Sequence, residues 1–375
     1  MAPSPTEGMP MRVGLIAPPW LPVPPERYGG TESVIDGLAR GLVAAGHDVV
    51  LAAPSGSTCP VPQVPDLPPP DSARMGATVV EIPYTLSAYA GMRDVDVVHD
   101  HTVAGPLCNR PPAAVPVAAT NHGPFDAQLN ATYRAMGDRV AVVAISRHQA
   151  GTARGVNITG VIHHGIDVNH VPVGTGTGGY ACFLGRMSPD KGVREAIQIA
   201  RAAGVPLRIA AKMREPAERE YFQQAVRPLL GPDASYLGEL NAAEKYVLLG
   251  DAVALVNPLR WPEPFGLVMI EALACGTPVV GTSWGATREI VQDTVTGFVA
   301  DDMLRLATAL QHAQDLDRLQ CREAAQTRFS TERMVADHLS LYRTLLGRRT
   351  GTWPSPAGVA RALVPTQWAS TPQHN

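Results

Sequence analysis

The sequence predicts an α/β protein made of two parallel-sheet domains that face each other across a cleft. Three observations carry this. The 375 residues are 45% apolar, more than one hydrophobic core organises and enough for two. Short continuous apolar runs, such as 12–17, 140–145 and 252–257, alternate with longer segments of helical period. Such runs are the pattern of strands buried on both faces of a parallel sheet. A Gly/Thr-rich stretch at 173–179 interrupts the pattern near mid-chain, and the pattern then restarts.

Residues 1–10 are rich in Pro and Ser and are expected to be disordered. They lack a basic region followed by an apolar core, so no secretion signal is expected. The first domain is assigned to 11–170. It opens with a strand at 12–17 and a Pro-rich loop leading to Tyr28-Gly29-Gly30-Thr31-Glu32. A helix follows at 32–45, with Thr31 as its N-cap and Gly46 as its stop, and then a strand at 47–53. Residues 54–72 read as a Pro-rich linker. Strands are expected at 78–82, 95–99, 115–119 and 140–145, and Ser146 reads as the N-cap of another helix.

The second domain is assigned to 171–335. Strands are expected at 180–184, 207–211, 236–237, 252–257, 278–281 and 297–300. Helices are expected at 193–203, 221–230, 243–249, 287–292 and from about Leu267 to the stop at Gly276. Residues 302–346 read as mostly helical, with a C-terminal helix at 336–349 crossing back to the first domain. Residues 350–375 read as a loose tail that Trp353 or Trp368 would anchor.

Composition excludes several function classes. A net charge of −3 offers no basic field for nucleic acid. No apolar run reaches membrane-spanning length, so no integral membrane protein is expected. The five cysteines are scattered and form no CxxC pair, which points to a reduced, cytoplasmic protein. Lysine occurs only at 191, 212 and 245, and arginine supplies every other cation. A chain that uses arginine so heavily keeps lysine where a compact ammonium is wanted. Oligomeric state is not legible.

In open α/β sheets ligands bind at the C-terminal ends of the strands. The candidate residues fall there. Glu263 and Glu271 lie eight positions apart, separated by the breaker Pro264-Phe265-Gly266. Glu263 is placed on a loop and Glu271 in the second turn of the helix that starts at Leu267. A helix N-terminus offers free N–H groups and partial positive charge, which suit an anion. Carboxylates on either side would bracket a ligand that is phosphate in one part and polyol in the others. The alternative is a solvated acidic helix start.

Gly185 to Gly192 joins a strand to a helix and carries Arg186 and Lys191. A lysine at a helix N-terminus opposes the dipole, and a diphosphate would remove the conflict. The alternative is that Asp190 caps that helix and offsets Lys191. Gly29 and Gly30 let backbone approach a ligand closely, or form a turn only. His122, beside Gly123-Pro124, would contact a sugar, or bond to backbone. Asp94-Val95-Asp96 precedes its strand and is not read as a metal site. Neither are His99-Asp100-His101 and His163-His164, which no carboxylate or histidine joins at helical spacing. Gly174 to Gly179 precedes its strand and is a linker rather than a dinucleotide fingerprint.

These residues resemble those of the retaining glycosyltransferases of family 4, which have the GT-B fold of two Rossmann-like domains. The resemblance covers about residues 11–346. It rests on Glu263 and Glu271 at the E-x7-E spacing, Gly185-Arg186, Lys191-Gly192, Gly165-Ile166-Asp167 and Ala274-x-Gly276-Thr277-Pro278. Tyr28 to Glu32, the pair His99 and His101, and Asn121 to Pro124 look more like the subgroup containing the avilamycin eurekanate transferase. The resemblance implies transfer of a hexose from a UDP- or GDP-sugar to a hydroxyl, with retention of configuration. It implies no cofactor beyond the donor and no metal. Arg186 and Lys191 match the diphosphate-binding pair, and Glu271 the carboxylate that accepts ribose hydroxyls. Glu263 matches the carboxylate near the sugar hydroxyls, and His122 the histidine near the reacting sugar. The backbone of Phe265, Gly266 and Leu267 would hold sugar and phosphate. The usual Asn-Gly-Ile-Asp is His164-Gly165-Ile166-Asp167 here, which leaves the role of His164 open.

No dedicated general base is evident, so front-face attack is expected, with the departing phosphate taking the acceptor proton. Lys212 ends a strand in the same cleft and is expected to touch the donor, a surface lysine being the alternative. Acceptor contacts are expected from loops at 54–76, 84–94 and 121–135. Their low charge, and the lack of a lysine-rich amphipathic helix, favour a soluble small-molecule acceptor or glycoside over a lipid. The rival classes are a sugar-nucleotide epimerase, a phosphorylase of the same fold and a non-catalytic sugar-nucleotide-binding protein.

Overall fold

A computed structural model describes residues 9–108 and 115–348. The disorder expected for 1–10 falls almost wholly outside the described residues, and the 350–375 tail with Trp353 and Trp368 falls entirely outside them. The strands are β1 (Arg12–Ile16), β2 (Asp48–Ala52), β3 (Val97–Asp100), β4 (Val117–Thr120), β5 (Val140–Ala144), β6 (Ile158–Val161), β7 (Ala181–Arg186), β8 (Leu207–Lys212), β9 (Ala234–Gly238), β10 (Leu255–Asn257), β11 (Val279–Gly281) and β12 (Gly297–Val299). The helices are α1 (Gly30–Ala44), α2 (Thr78–Gly91), α3 (Ala127–Met136), α4 (Arg147–Thr152), α5 (Val193–Ala203), α6 (Pro216–Tyr221), α7 (Ala242–Asp251), α8 (Leu267–Ala274), α9 (Thr287–Ile290), α10 (Met303–His312), α11 (Arg318–Phe329) and α12 (Thr331–Arg348).

The strands form two six-stranded sheets, ordered β2-β1-β3-β4-β5-β6 and β12-β11-β10-β7-β8-β9. Every pairing within them is parallel. The expected α/β architecture of two facing parallel sheets is therefore present. Strands such as β3, β4 and β5 are buried along their whole length, because helices cover both faces.

The returning helix starts at Thr331. Its Met334, Val335, Leu339, Tyr342 and Leu345 join the core of the first sheet, with Val34, Leu38 and Leu42 of α1. Gly41 of α1 permits the approach: a Cβ there would lie 2.6 Å from Val335 Cγ2. The second contact between the halves is at α4. Ser146 caps α4 through Gln149 N and also donates its hydroxyl to the Pro264 carbonyl at 2.6 Å. Glu289 of α9 accepts from Arg147 N at 2.8 Å and His148 N at 2.7 Å, so a carboxylate from the second half completes the helix start of the first.

Five local expectations are overturned. The strand expected at 78–82 is the first turn of α2. Its β-branched residues favour a strand, but Glu81, Tyr84, Thr85, Ala88 and Tyr89 are buried at helical spacing, and that burial decides. The loop expected at 84–94 is therefore mostly helix, and the loop at 121–135 contains most of α3. Thr31 does not cap α1; the helix starts at Gly30 on an N-cap at Gly29. The helix expected at 221–230 is α6 running into a π-turn at Phe222–Val226.

Candidate active site

Glu263 and the α8 start sit on the loop that leaves β10. Gly266 is the N-cap of α8 at φ 100°, a left-handed conformation that glycine adopts without strain. The loop is anchored from behind by Phe265. Its ring is 2% exposed and lies edge-on to His164, 5.1 Å between centroids. Phe265 thus contributes backbone to the site and side chain to the core.

Across the cleft, α1 starts on Gly29-Gly30. A Cβ built at Gly30 would lie 3.0 Å from Leu267 Cδ1, so the N-termini of α1 and α8 meet directly. Neither has a side-chain cap, nor does α5, which starts on Gly192. By contrast α3, α4, α7, α10 and α11 are capped by Asp126, Ser146, Asn241, Asp302 and Asp317. The three glycine-started helices therefore leave N–H groups available to an anion where the halves meet.

The cations border this junction. Arg186 and Lys212 are partners in the register of β7 and β8, so they emerge side by side. Arg186 pairs with Asp190 at 3.1 Å. Asp190 does not cap α5, and Lys191 is offset instead by an ion pair with Glu263. Glu263 Oε2 also accepts from Trp261 Nε1 at 2.8 Å. Lys212 pairs with Glu215 at 2.6 Å and lies 5.7 Å from the Tyr28 ring, which comes from the first half. Tyr28 N donates to Glu239 at 3.3 Å. Lys245 of α7 pairs with Glu271 at 2.6 Å. Burial pulls its ammonium down in pKa, but the Glu271 carboxylate and Tyr246 outweigh this and leave it raised.

His122 lies at the end of β4, half-buried. It does not bond to backbone: its Nε2 is 2.9 Å from His101 Nδ1. His164 stacks on it, 5.1 Å between centroids and 20° between planes. His101 in turn lies 4.2 Å from His99, and His99 lies 5.1 Å from His338 of α12. Burial holds all five neutral. It pushes His122 down to about 3 and His338 to about 4, and His99, His101 and His164 well below the usual histidine range. Among the described residues no group of three or more His, Cys, Asp or Glu is placed to hold a metal. Asp96 accepts from Arg12 N at 2.8 Å.

The structure thus gathers Gly29, Gly30, Arg186, Lys191, Lys212, Glu263, Phe265, Gly266, Leu267 and Glu271 at one junction, with His122 joined to Phe265 through His164. Sequence reasoning marked Lys245 but gave it no partner, and it missed Trp261, Glu239 and the contacts of His101 and His164. Only the scarcity of lysine pointed to Lys245.

Residues 28–170 match the family described as Glycosyltransferase Family 4, and residues 173–326 the family described as Glycosyl transferases group 1. The chain is 26% identical to a phosphatidyl-myo-inositol mannosyltransferase of Mycolicibacterium smegmatis, over 90% of this chain and 95% of that protein. AviGT4, a glycosyltransferase involved in avilamycin A biosynthesis, superposes with a TM-score of 0.68 at 26% identity, over 90% of this chain and 98% of that one. The sucrose-phosphate synthase of Thermosynechococcus elongatus superposes with a TM-score of 0.74 at 19% identity, over 90% and 99%. With one family or the other matching most of the chain on two facing parallel sheets, the chain belongs to the glycosyltransferases of the GT-B fold, Family 4 in its first half and group 1 in its second.

Proposed function

We propose that this enzyme moves a hexose from a UDP- or GDP-sugar to an acceptor hydroxyl with retention of anomeric configuration. The observation that carries this reading is the junction of two uncapped helix N-termini, α1 and α8, bordered by Arg186 and Lys191 and by Glu263 and Glu271. Anion-seeking backbone lies at the centre, with carboxylates that accept hydroxyl protons beside it. That is the chemistry of a diphosphate between two sugars.

In this reading Glu271 takes the ribose hydroxyls and Glu263 those of the transferred sugar. The backbone at Phe265 to Leu267 holds the phosphate–sugar junction, Lys212 touches the donor, and His122 contacts the reacting sugar. Arg186, Lys191 and the helix starts of α1 and α8 stabilise the leaving diphosphate as charge develops, without a metal ion. The bond from C1 to the phosphate oxygen breaks and the acceptor oxygen bonds to C1 on the same face. The acceptor proton passes to the departing phosphate. A cytoplasmic enzyme of the avilamycin subgroup fits this reading.

A thermal-shift screen against UDP-, GDP-, ADP- and dTDP-sugars tests donor class, since a ligand of the folded state raises the melting temperature. Product NMR then tests stereochemistry. An inverted anomer, or a rate abolished by EDTA, would sink the mechanism.

A second reading concerns the acceptor. Met75, just before α2, Val79, Ile82 and Leu86 of α2, and Val103 and Leu107 on the loop after β3 are exposed. Glu81 of α2 accepts from Val103 N at 2.7 Å, which ties the two together at the edge that carries His122. This apolar face favours an acceptor with an apolar portion. The name of the Mycolicibacterium relative points to a lipid acceptor in that protein. Among the described residues no helix is long and apolar enough to cross a membrane. Transfer to a lipid-linked acceptor that exceeds transfer to its water-soluble head alone supports this second reading over a soluble small molecule.

A further inference from the structure

His101 has no role in the reading above, yet it makes the only hydrogen bond to His122 among the described residues. We propose that His101 is a positioning residue that fixes the tautomer of His122: His101 donates Nδ1–H to His122 Nε2, so that His122 presents Nδ1–H to the reacting sugar as a donor. The proposal rests on the reading that His122 faces that sugar.

The argument is one of hydrogen-bond satisfaction. His101 Nδ1 and His122 Nε2 are 2.9 Å apart, so one carries the proton and the other the lone pair. His101 is 6% exposed, and its Nε2 is buried without a partner. If His101 Nδ1 accepted, the proton of a neutral ring would sit on Nε2, and a buried N–H would have no acceptor. Buried N–H groups without an acceptor are rare in folded proteins, and under-satisfied acceptors are tolerated somewhat more often. With Nδ1 donating, the orphan is only a lone pair. Both rings are neutral because burial holds their pKa values far down. His122 then has its one proton on Nδ1. No described residue accepts from that atom, which leaves it for a ligand.

The surroundings hold His101 in this pose. His99 packs against it at 4.2 Å and is itself bound on both nitrogens, by Tyr342 Oη and Thr120 Oγ1, each at 2.7 Å. His338 and Tyr342 come from α12, so the returning helix braces the array from behind. On the other side His164 stacks on His122. The groups that titrate around the pair are therefore His99, His164 and His338, with Arg333 beside His164. The consequence is chemical. A His122 that donates through Nδ1 stabilises negative charge on a sugar or phosphate oxygen and does not act as a general base.

The test uses the full-length enzyme. Long-range 1H–15N spectra of His122 should show Nδ1 protonated and Nε2 unprotonated, and the reverse pattern overturns the proposal directly. In kinetics, His101→Leu should lower kcat by about 10–100-fold with the donor KM nearly unchanged. His101→Asn, whose amide nitrogen takes the place of Nδ1, should recover most of that loss. His101→Asp should draw the proton to His122 Nε2. Its activity should be lost at high pH and return as pH falls, when His122 becomes an imidazolium with Nδ1–H restored. Equal losses in the Leu and Asn variants, with circular dichroism unchanged, overturn the proposal. His122→Ala at full rate removes instead the reading on which it rests.

Discussion

Lys245 Nζ lies 2.6 Å from Glu271 Oε1, with the two side chains 22% and 15% exposed. The pair joins α7 to the second turn of α8. It also completes a pattern. The chain has three lysines, and each ends on a glutamate near the C-terminal edge of the second sheet: Lys191 on Glu263, Lys212 on Glu215 and Lys245 on Glu271. If Glu271 holds ribose equally in the ground and transition states, its orientation governs affinity more than rate. Lys245→Met is expected to raise the donor KM by about tenfold while kcat changes less than about threefold. Steady-state kinetics with donor varied checks this, and a loss confined to kcat would contradict it.

Lys191 and Glu263 make the opposite case. Their pair offsets a cation beside the uncapped start of α5 when no diphosphate is present. Charge grows on the leaving diphosphate only as the glycosidic bond breaks, so a cation that meets it acts on the transition state. Lys191→Ala is expected to lower kcat by about 10²–10³-fold. Melting temperature provides the control. A large thermal loss with kcat retained would make Lys191 a structural ion-pair partner only.

Gly30 abuts Leu267 across the two halves. An added methyl at 3.0 Å from Leu267 Cδ1 requires that side chain or the helix starts to give by a few tenths of an ångström. Gly30 is the first residue of α1 and is not in the left-handed region, so alanine there brings no backbone strain. Gly30→Ala is expected to keep or raise the melting temperature while kcat/KM falls. Adding Leu267→Ala should restore part of the activity by removing the obstructing methyl. No recovery in the double variant would mean that the contact between the two residues does not limit activity.

The sheets were legible because their strands are continuous apolar runs and their strand-end loops carry Gly, Arg, Lys and Glu at fixed spacings. Local signals sufficed for β1, β7, β10 and α8. They failed where burial overrides propensity. At α2, Thr78, Val79, Val80 and Ile82 all favour a strand, and Pro83 argues against a helix interior. Only the buried face formed by Tyr84, Ala88 and Tyr89 selects the helix. Pairings between distant segments were invisible for another reason. His101 and His164 are 63 positions apart in sequence, and each meets His122 only because β3, β4 and the turn after β6 end at one sheet edge. Spacing tests for metal sites set these histidines aside, but nothing in spacing shows that His101 and His164 both meet His122.

The histidine array also sets how stability depends on pH. His99, His101, His122, His164 and His338 have folded-state pKa values below the ordinary value near 6.5, with His122 at about 3 and His338 at about 4. As pH falls below 6.5 the unfolded chain takes up protons on these five rings that the folded chain refuses. The unfolded state then binds more protons, so stability falls with falling pH. Three buried carboxylates act in the other direction, Asp100, Glu32 and Glu218, the last raised by burial. Burial raises Asp100 and Glu32 to about 7, so the folded state is the one that holds their protons between about pH 4 and 7. Burial also lowers His47, so six histidines against three carboxylates leave a net loss on acidification from pH 6.5 to 5. Each ring fully within its window contributes about 1.4 kcal/mol per pH unit. His338→Asn keeps a donor for the Met334 carbonyl, which Nδ1 of His338 approaches at 2.8 Å, and removes one titrating ring. It is expected to reduce the slope of unfolding free energy against pH by about one proton, read from urea melts between pH 7 and 5. A slope that stays the same would mean that His338 keeps a near-ordinary pKa in the fold, and that the array is not the neutral stack its burial demands.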